Sequence, residues 1–80
     1  MLEQVKNILE TIKKQPGLAN ELTGSSNIID DIGLDSLQML DFMLKIENDL
    51  QIKIDFSKFE YKHLSTIDAL IEFLSTVPSK

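Results

Sequence analysis

Residues 30–50 read DDIGLDSLQMLDFMLKIENDL. Up to Leu34 the stretch has no helical rhythm. From Leu37 onward apolar residues return every three or four positions, which predicts a helix over 36–50. Its start is well marked: Asp35 can cap the first turn, and Gln38 three residues later completes a capping-box pattern. Ser36 stands at that junction. A serine at an exposed loop-to-helix boundary reads in two ways. It is either a cap, or a point at which another enzyme attaches something. A phosphate attached there would be favoured by the positive end of the helix dipole.

The helix that follows is apolar on two sides. Met39, Phe42, Met43, Ile46 and Leu50 form a stripe wide enough to be the core face. Leu37, Leu40 and Leu44 form a second, adjacent stripe. Together the two span about 220° of the helix circumference, interrupted only by Glu47. A small bundle has little room to bury so much of one helix, so the second stripe is expected to be partly exposed. It lies beside the polar wedge of Asp41, Lys45 and Asn48, and a charged rim around exposed leucines makes a docking surface. The alternative is that the preceding loop or the aromatic residues at 56–61 cover these leucines. Leu37 in particular could pack beneath the loop.

Working outward, Leu2, Val5, Ile8, Leu9 and Ile12 fall on one arc of about 120°, which predicts an amphipathic helix over 2–14 ended by Pro16-Gly17. Residues 16–35 show little periodicity. Leu18, Leu22, Ile28, Ile29, Ile32 and Leu34 are expected to pin this long loop to the core. A loop of such length in a small domain is often functional. Beyond the central helix, QIKID alternates but has no evident partner strand, and is read as an extended connection. Phe56, Phe59 and Tyr61 suggest a short helix or turn bearing aromatic anchors. A last helix follows, with Ser65 as cap, Asp68 in the first turn, and Ile67, Leu70, Ile71 and Leu74 as its stripe. Pro78 stands after its end. The expected fold is an all-α four-helix bundle over residues 1–80, with three longer helices, one short one, and a long loop between the first two.

Composition narrows the function. The 80 residues carry a net charge of −5, from 13 carboxylates against eight lysines and no arginine, with 42% hydrophobic content. That content suits a folded chain, and the acidic balance argues against nucleic acid as partner. It favours basic partners. Cysteine is absent, so neither a disulfide nor a thiolate metal site is expected. The N-terminal MLEQVKNILE does not read as a signal peptide and no apolar run approaches membrane-spanning length. A soluble, cytoplasmic monomer is the expectation.

Catalysis by this chain is not expected. A serine nucleophile needs a base within hydrogen-bond reach. The single histidine, His63, lies far along the chain, and the surroundings of Ser36 are not G-x-S-x-G. Asp30, Asp31 and Asp35 do not follow EF-hand spacing, so no metal site is assigned.

The run IGLDSL at 32–37 resembles the prosthetic-group attachment motif of acyl carrier proteins, in which Asp-Ser-Leu opens the second of four helices. The resemblance covers nearly the whole chain: an amphipathic first helix, a long loop, DSL and an apolar, acid-flanked helix, then LQIKI and a final HLSTIDALIEFL. It implies that Ser36 carries 4′-phosphopantetheine, with Asp35 and Leu37 beside it. A phosphopantetheinyl transferase would supply the group from coenzyme A with magnesium, the serine oxygen attacking the β-phosphate. The arm's thiol would hold acyl or aminoacyl cargo as a thioester, so a cysteine-free protein could do thiol chemistry. The resemblance also gives the leucine stripe a purpose: Leu37, Leu40 and Leu44 would dock the transferase and the loading and processing enzymes, with Asp35, Asp41 and Glu47 meeting their basic residues. The competing reading is an unmodified interaction module in which Ser36 is only a cap.

The sequence departs from housekeeping fatty-acid carriers after the motif. They continue with an acidic residue, a Val-Glu-Leu run and consecutive glutamates. Here the continuation is Gln38-Met39-Leu40-Asp41-Phe42, with Lys45 and Asn48 diluting the acidic face. KIDFSKFEYKH is also longer and more aromatic than the usual third-helix region. The departures point to a dedicated pathway of polyketide, nonribosomal-peptide or other acyl type rather than general fatty-acid synthesis. Met39, Phe42, Met43 and Phe59 are read either as ordinary core or as a pliable lining for a fatty chain.

Overall fold

Four apolar residues of the first helix decide its packing. Val5, Ile8, Leu9 and Ile12 are all buried, while the remaining faces of α1 (Leu2–Lys13) meet solvent. The computed structural model describes residues 1–77, so the expected stop at Pro78 lies outside the described residues. α1 ends ahead of Pro16-Gly17. Lys14 adopts the left-handed conformation (φ 56°, ψ 40°) and its N–H donates to the carbonyls of Glu10 and Thr11. This is a left-handed C-terminal cap, with the proline two residues further on blocking any continuation.

The segment 16–35 is more structured than its lack of periodicity suggests. It contains one helical turn, α2 (Leu18–Glu21), and a π-helical turn at Ile28–Ile32. Neither is long enough to show a period. The π turn is held by local side chains: Asn27 Oδ1 accepts from the N–H groups of Ile29 (2.8 Å) and Asp30 (2.7 Å), and Asp31 Oδ2 accepts from Asn27 N (2.8 Å). Leu22, Ile28 and Ile32 are buried, and Leu18, Ile29 and Leu34 pack against the core from its edge. The loop is therefore pinned as its leucines and isoleucines indicate.

The central helix, α3, runs Ser36–Leu50. Phe42, Met43 and Ile46 are buried in it, and Met39 and Leu50 lie half-buried beside them. After α3 the chain runs extended, with Ile52 and Ile54 buried and Lys53 and Asp55 exposed. The alternation read in QIKID is an extended strip laid on the core. Glu47 Oε2 fastens it by accepting from Ile54 N at 2.7 Å.

A 3₁₀ turn at Tyr61–Leu64 leads to α4 (Ile67–Leu74), whose Ile67, Leu70 and Leu74 are buried. The cap of α4 is Thr66, not Ser65. Only Thr66 has the extended backbone a cap requires (φ −145°, ψ 164°), and its hydroxyl accepts from Ala69 N at 3.0 Å; Ser65 is still in helical conformation. The aromatic expectation also needs correction. Phe59 packs at the core's edge, edge-to-face with Phe73 and tilted against His63. Tyr61, however, is largely exposed and Phe56 about half exposed. The His63 ring takes the expected anchoring role, stacked on Phe73 at 4.3 Å between centroids.

The long loop is tied to α4. The N–H of Ile67 donates to Ser26 O (3.0 Å) and that of Asp68 to Gly24 O (2.9 Å), so the loop's carbonyls satisfy the opening turn of α4. The Asp68 carboxylate lies against Gly24, where a Cβ would oblige it to swing aside. The described residues thus form an all-α bundle in which three helices of two turns or more surround one apolar core, with short turns in the connections.

Candidate functional site

The Asp35–Ser36 junction settles which of the two residues is the cap. Asp35 Oδ1 accepts from Gln38 N at 2.7 Å, and Gln38 Oε1 reaches back to accept from Asp35 N at 3.2 Å. Both halves of the capping box are formed. Ser36, one residue inside the helix, has no part in it. Its side chain is exposed, and among the described residues no protein group hydrogen-bonds its hydroxyl. A serine acting as cap would turn its oxygen inward over the first turn; this one leaves it free. Nor do Asp35 or the preceding backbone take up the N–H groups of Ser36 and Leu37. The positive end of α3 therefore lies open beside the hydroxyl.

Two contacts shape the approach to this junction. The π turn ends at Gly33, in left-handed conformation (φ 72°), whose N–H donates to Ile28 O. Lys13 Nζ, at the end of α1, donates to Gly33 O at 3.4 Å. Ser36 thus stands at a corner between the last turn of α1 and the first turn of α3.

Beyond the serine, three leucines line one side of α3 in the open. Leu37 is 76% exposed, Leu40 54% and Leu44 50%. Neither the long loop nor the aromatic segment covers them: the loop's apolar side chains turn to the core, and Phe56 and Tyr61 face solvent themselves. Asp35 and Asp41 flank the leucines, Asp41 within 3.9 Å of Lys45 on the next turn. Glu47 also makes a contact within the chain. It is half-buried, and its carboxylate accepts from the N–H of Ile54. Its principal contact is internal. Met39, Phe42, Met43 and Phe59 belong to the packed core or its edge. Among the described residues no cluster of histidine, aspartate or glutamate is placed to hold a metal ion. His63 is used structurally, its Nδ1 accepting from Glu60 N at 2.9 Å.

Comparison with known proteins bears on this site. A family model described as "phosphopantetheine attachment site" matches residues 6–74, which include the whole of the junction and α3. The chain belongs to this family. Its prosthetic group is phosphopantetheine, and it is a carrier domain that partner enzymes modify and use. Two curated relatives are distant in sequence. An acyl carrier protein of Thermotoga maritima is 27% identical over 55 residues, covering 69% of this chain and 65% of the relative. Norsolorinic acid synthase of Emericella nidulans is 27% identical over 74 residues, covering 92% of this chain and 3% of that much longer protein. The chain thus spans a small segment of the one and just under two thirds of the other. Among solved structures, a holo acyl carrier protein of Nitrosomonas europaea, determined in solution by NMR, superposes with a TM-score of 0.84 at 25% identity, covering 92% of this chain and 90% of that one.

The junction fits the family's group. A phosphodiester on Ser36 Oγ would project to solvent from an exposed side chain with no protein group in its way. The open N–H groups of the first turn are suited to a nearby anion. Asp35 leaves the serine free by taking the cap.

The sequence alone marks Asp35, Ser36 and the leucine stripe as candidates. What it missed was the internal engagement of Glu47. Its partner, Ile54, follows the helix and is brought back against it only by tertiary packing.

Proposed function

We propose that this protein is an acyl carrier whose Ser36 is the attachment point for 4′-phosphopantetheine. The observation that carries the proposal is the free, solvent-facing hydroxyl of Ser36 beside an Asp35 that already caps the helix. The same observation weakens the alternative of an unmodified module with Ser36 as its cap, because the cap is another residue. When bound, the group supplies a terminal thiol that holds acyl or aminoacyl cargo as a thioester. The chain's own residues do the rest. Asp35 fixes the start of α3 and keeps the serine oxygen outward. Leu37, Leu40 and Leu44 form an apolar strip for a visiting enzyme, and Asp35 and Asp41 set its orientation through long-range attraction to basic residues. Such a small mixed surface suits brief encounters.

The partners in this reading are a phosphopantetheinyl transferase, which supplies the group from coenzyme A, and the enzymes that load and process the cargo. A dedicated pathway is favoured over general fatty-acid synthesis. Two things support it: the departures from the housekeeping pattern at Gln38–Phe42 and Lys45, and the similarity to a segment of a synthase named for a single product. We place the carrier among cytoplasmic enzymes, consistent with an acidic surface and with no described helix long and apolar enough to cross a membrane.

Intact-mass measurement tests the attachment site. After incubation with coenzyme A, magnesium and a broad-specificity transferase, the wild-type chain gains one phosphopantetheine and Ser36→Ala gains none. Equal gain in both proteins would move the attachment elsewhere. No gain in either with a competent transferase would favour the unmodified module.

A further inference from the structure

The exposed leucines are one wall of a groove. Ile12 and Lys14, at the end of α1, form the facing wall, and Leu37, Leu40 and Leu44 of α3 form the near one. Gln38 and Asp41 line the same groove and bring an amide and a carboxylate to it. It begins at Leu37, the residue after Ser36. Its charge differs from that of the rest of the junction. Lys14 is carried into it by the left-handed cap of α1, and Lys13 of the same turn reaches Gly33 behind the serine. The ion pairs among the described residues are Glu3–Lys6, Asp41–Lys45 and Glu60–Lys62, and Lys14 is in none of them. In an acidic chain the end of α1 thus sets positive charge beside the attachment corner.

We propose that this groove is the resting place of the pantetheine arm, with Lys14 as countercharge to its phosphodiester. The inference rests on attachment at Ser36. Each part of the arm has a counterpart in the groove's lining, the arm running from an anion at the tether through a carbon bearing two methyl groups to two amides. Lys14 and the first-turn N–H groups suit the anion, Leu37, Leu40 and Ile12 suit the methyls, and the Gln38 amide N–H and the Asp41 carboxylate suit the amides. The distance is also suitable. Ser36 and Leu44 are about 12 Å apart along the helix axis, which the extended arm exceeds. A consequence follows for handling by partners. The leucines that hold the arm are those proposed to dock enzymes, so a docking enzyme displaces the arm from its groove and releases the thiol in one event.

The absence of cysteine makes the test clean, since the arm's thiol is then the sole thiol of the protein. The holo chain, verified by intact mass, is labelled on that thiol with a nitroxide, and amide broadening is compared with the reduced label. Unlabelled apo and holo spectra serve as control. Broadening and apo-to-holo shifts centred on Ile12, Lys14, Leu40 and Leu44, with α4 unaffected, are expected. Lys14→Glu, and Lys14→Gly, which suits the left-handed backbone and so preserves the fold, should reduce the broadening at Leu44 by about two- to fivefold, the worth of one exposed charge pair. Raised salt should do the same in wild type. Broadening spread evenly over the surface, centred on residues 51–63, or unchanged by both Lys14 variants would overturn the groove while leaving attachment intact. A chain that gains no mass would remove both readings.

Discussion

Leu40→Glu separates a docking surface from a core face. Leu40 is 54% exposed. Full burial of a leucine is worth about 2 kcal/mol, so the half that is covered contributes about 1 kcal/mol. Glutamate and leucine have similar helix propensity, which adds little to the loss. For a domain of this size the melting temperature should fall by about 4–8 °C. Phe42, one helical position from Asp41 and fully buried, sets the contrast: Phe42→Ala should cost about 3–5 kcal/mol. If Leu40 sits at the centre of the transferase contact, the charge should cost that encounter about 2 kcal/mol, which is about thirtyfold in kcat/KM for modification of Ser36. The assay pairs thermal unfolding, followed by circular dichroism at 222 nm, with the initial rate of mass gain measured well below the melting temperature. The expected result is a small thermal shift with a large rate loss. Two results would refute the reasoning. Unfolding as severe as that of Phe42→Ala would make Leu40 a core residue. A rate within twofold of wild type, in a chain with intact helicity, would mean that the transferase docks elsewhere.

Further expectations follow from contacts outside the leucine strip. Thr66→Ala removes the side-chain cap of α4 and should destabilise the chain by about 1 kcal/mol, whereas Ser65→Ala should be nearly silent; urea unfolding of the two variants side by side checks this. Asp55 accepts from both the hydroxyl and the N–H of Ser57, and these bonds, helped by Lys58, hold its carboxyl below the usual 3.8. Any stability it lends is complete above the unfolded-state value and lost as pH falls through the lowered one. Carboxyl-carbon NMR should show Asp55 titrating below 3.8 in wild type and moving up toward it in Ser57→Ala.

The parts of the molecule that could be read from sequence are those in which one local pattern was enough. Val5, Ile8, Leu9 and Ile12 repeat at helical spacing and are all buried. Asp35 and Gln38, three residues apart, make the capping box their spacing implies. The exposure of Leu37, Leu40 and Leu44 followed from a different kind of reasoning: α3 has more apolar circumference than an 80-residue bundle can cover. Where several contacts compete, the sequence was less informative. Ser65 and Thr66 are both competent caps, and only the backbone angles at each distinguish them. The π turn at Ile28–Ile32 depends on Asn27 and Asp31 bonding to nearby N–H groups, in a segment too short to have a period. Phe56 and Tyr61 look like anchors by residue type, yet the buried residues of this part of the chain are the isoleucines of the extended strip, and the stacked aromatic pair is His63 and Phe73.

On the proposed attachment at Ser36, a separation of tasks accounts for its place one residue inside the helix. A carrier needs its attachment oxygen fixed in position yet free of internal bonds. Those demands conflict at a cap position, where the oxygen is held because it is already used. Placing the cap on Asp35 resolves the conflict, since the helix start is fastened by the neighbour's carboxylate and the serine inherits a defined backbone without spending its hydroxyl. It follows that Asp35 and Ser36 are not interchangeable. Exchanging them would still leave a competent cap, because serine caps about as well as aspartate. The hydroxyl would then lie over the first turn, accepting from residue 38. The exchanged chain should retain its melting temperature within a few degrees and yet fail to gain mass in the transferase assay. Normal modification of that variant, at the serine now in position 35, would show that freedom of the hydroxyl is not what the junction provides.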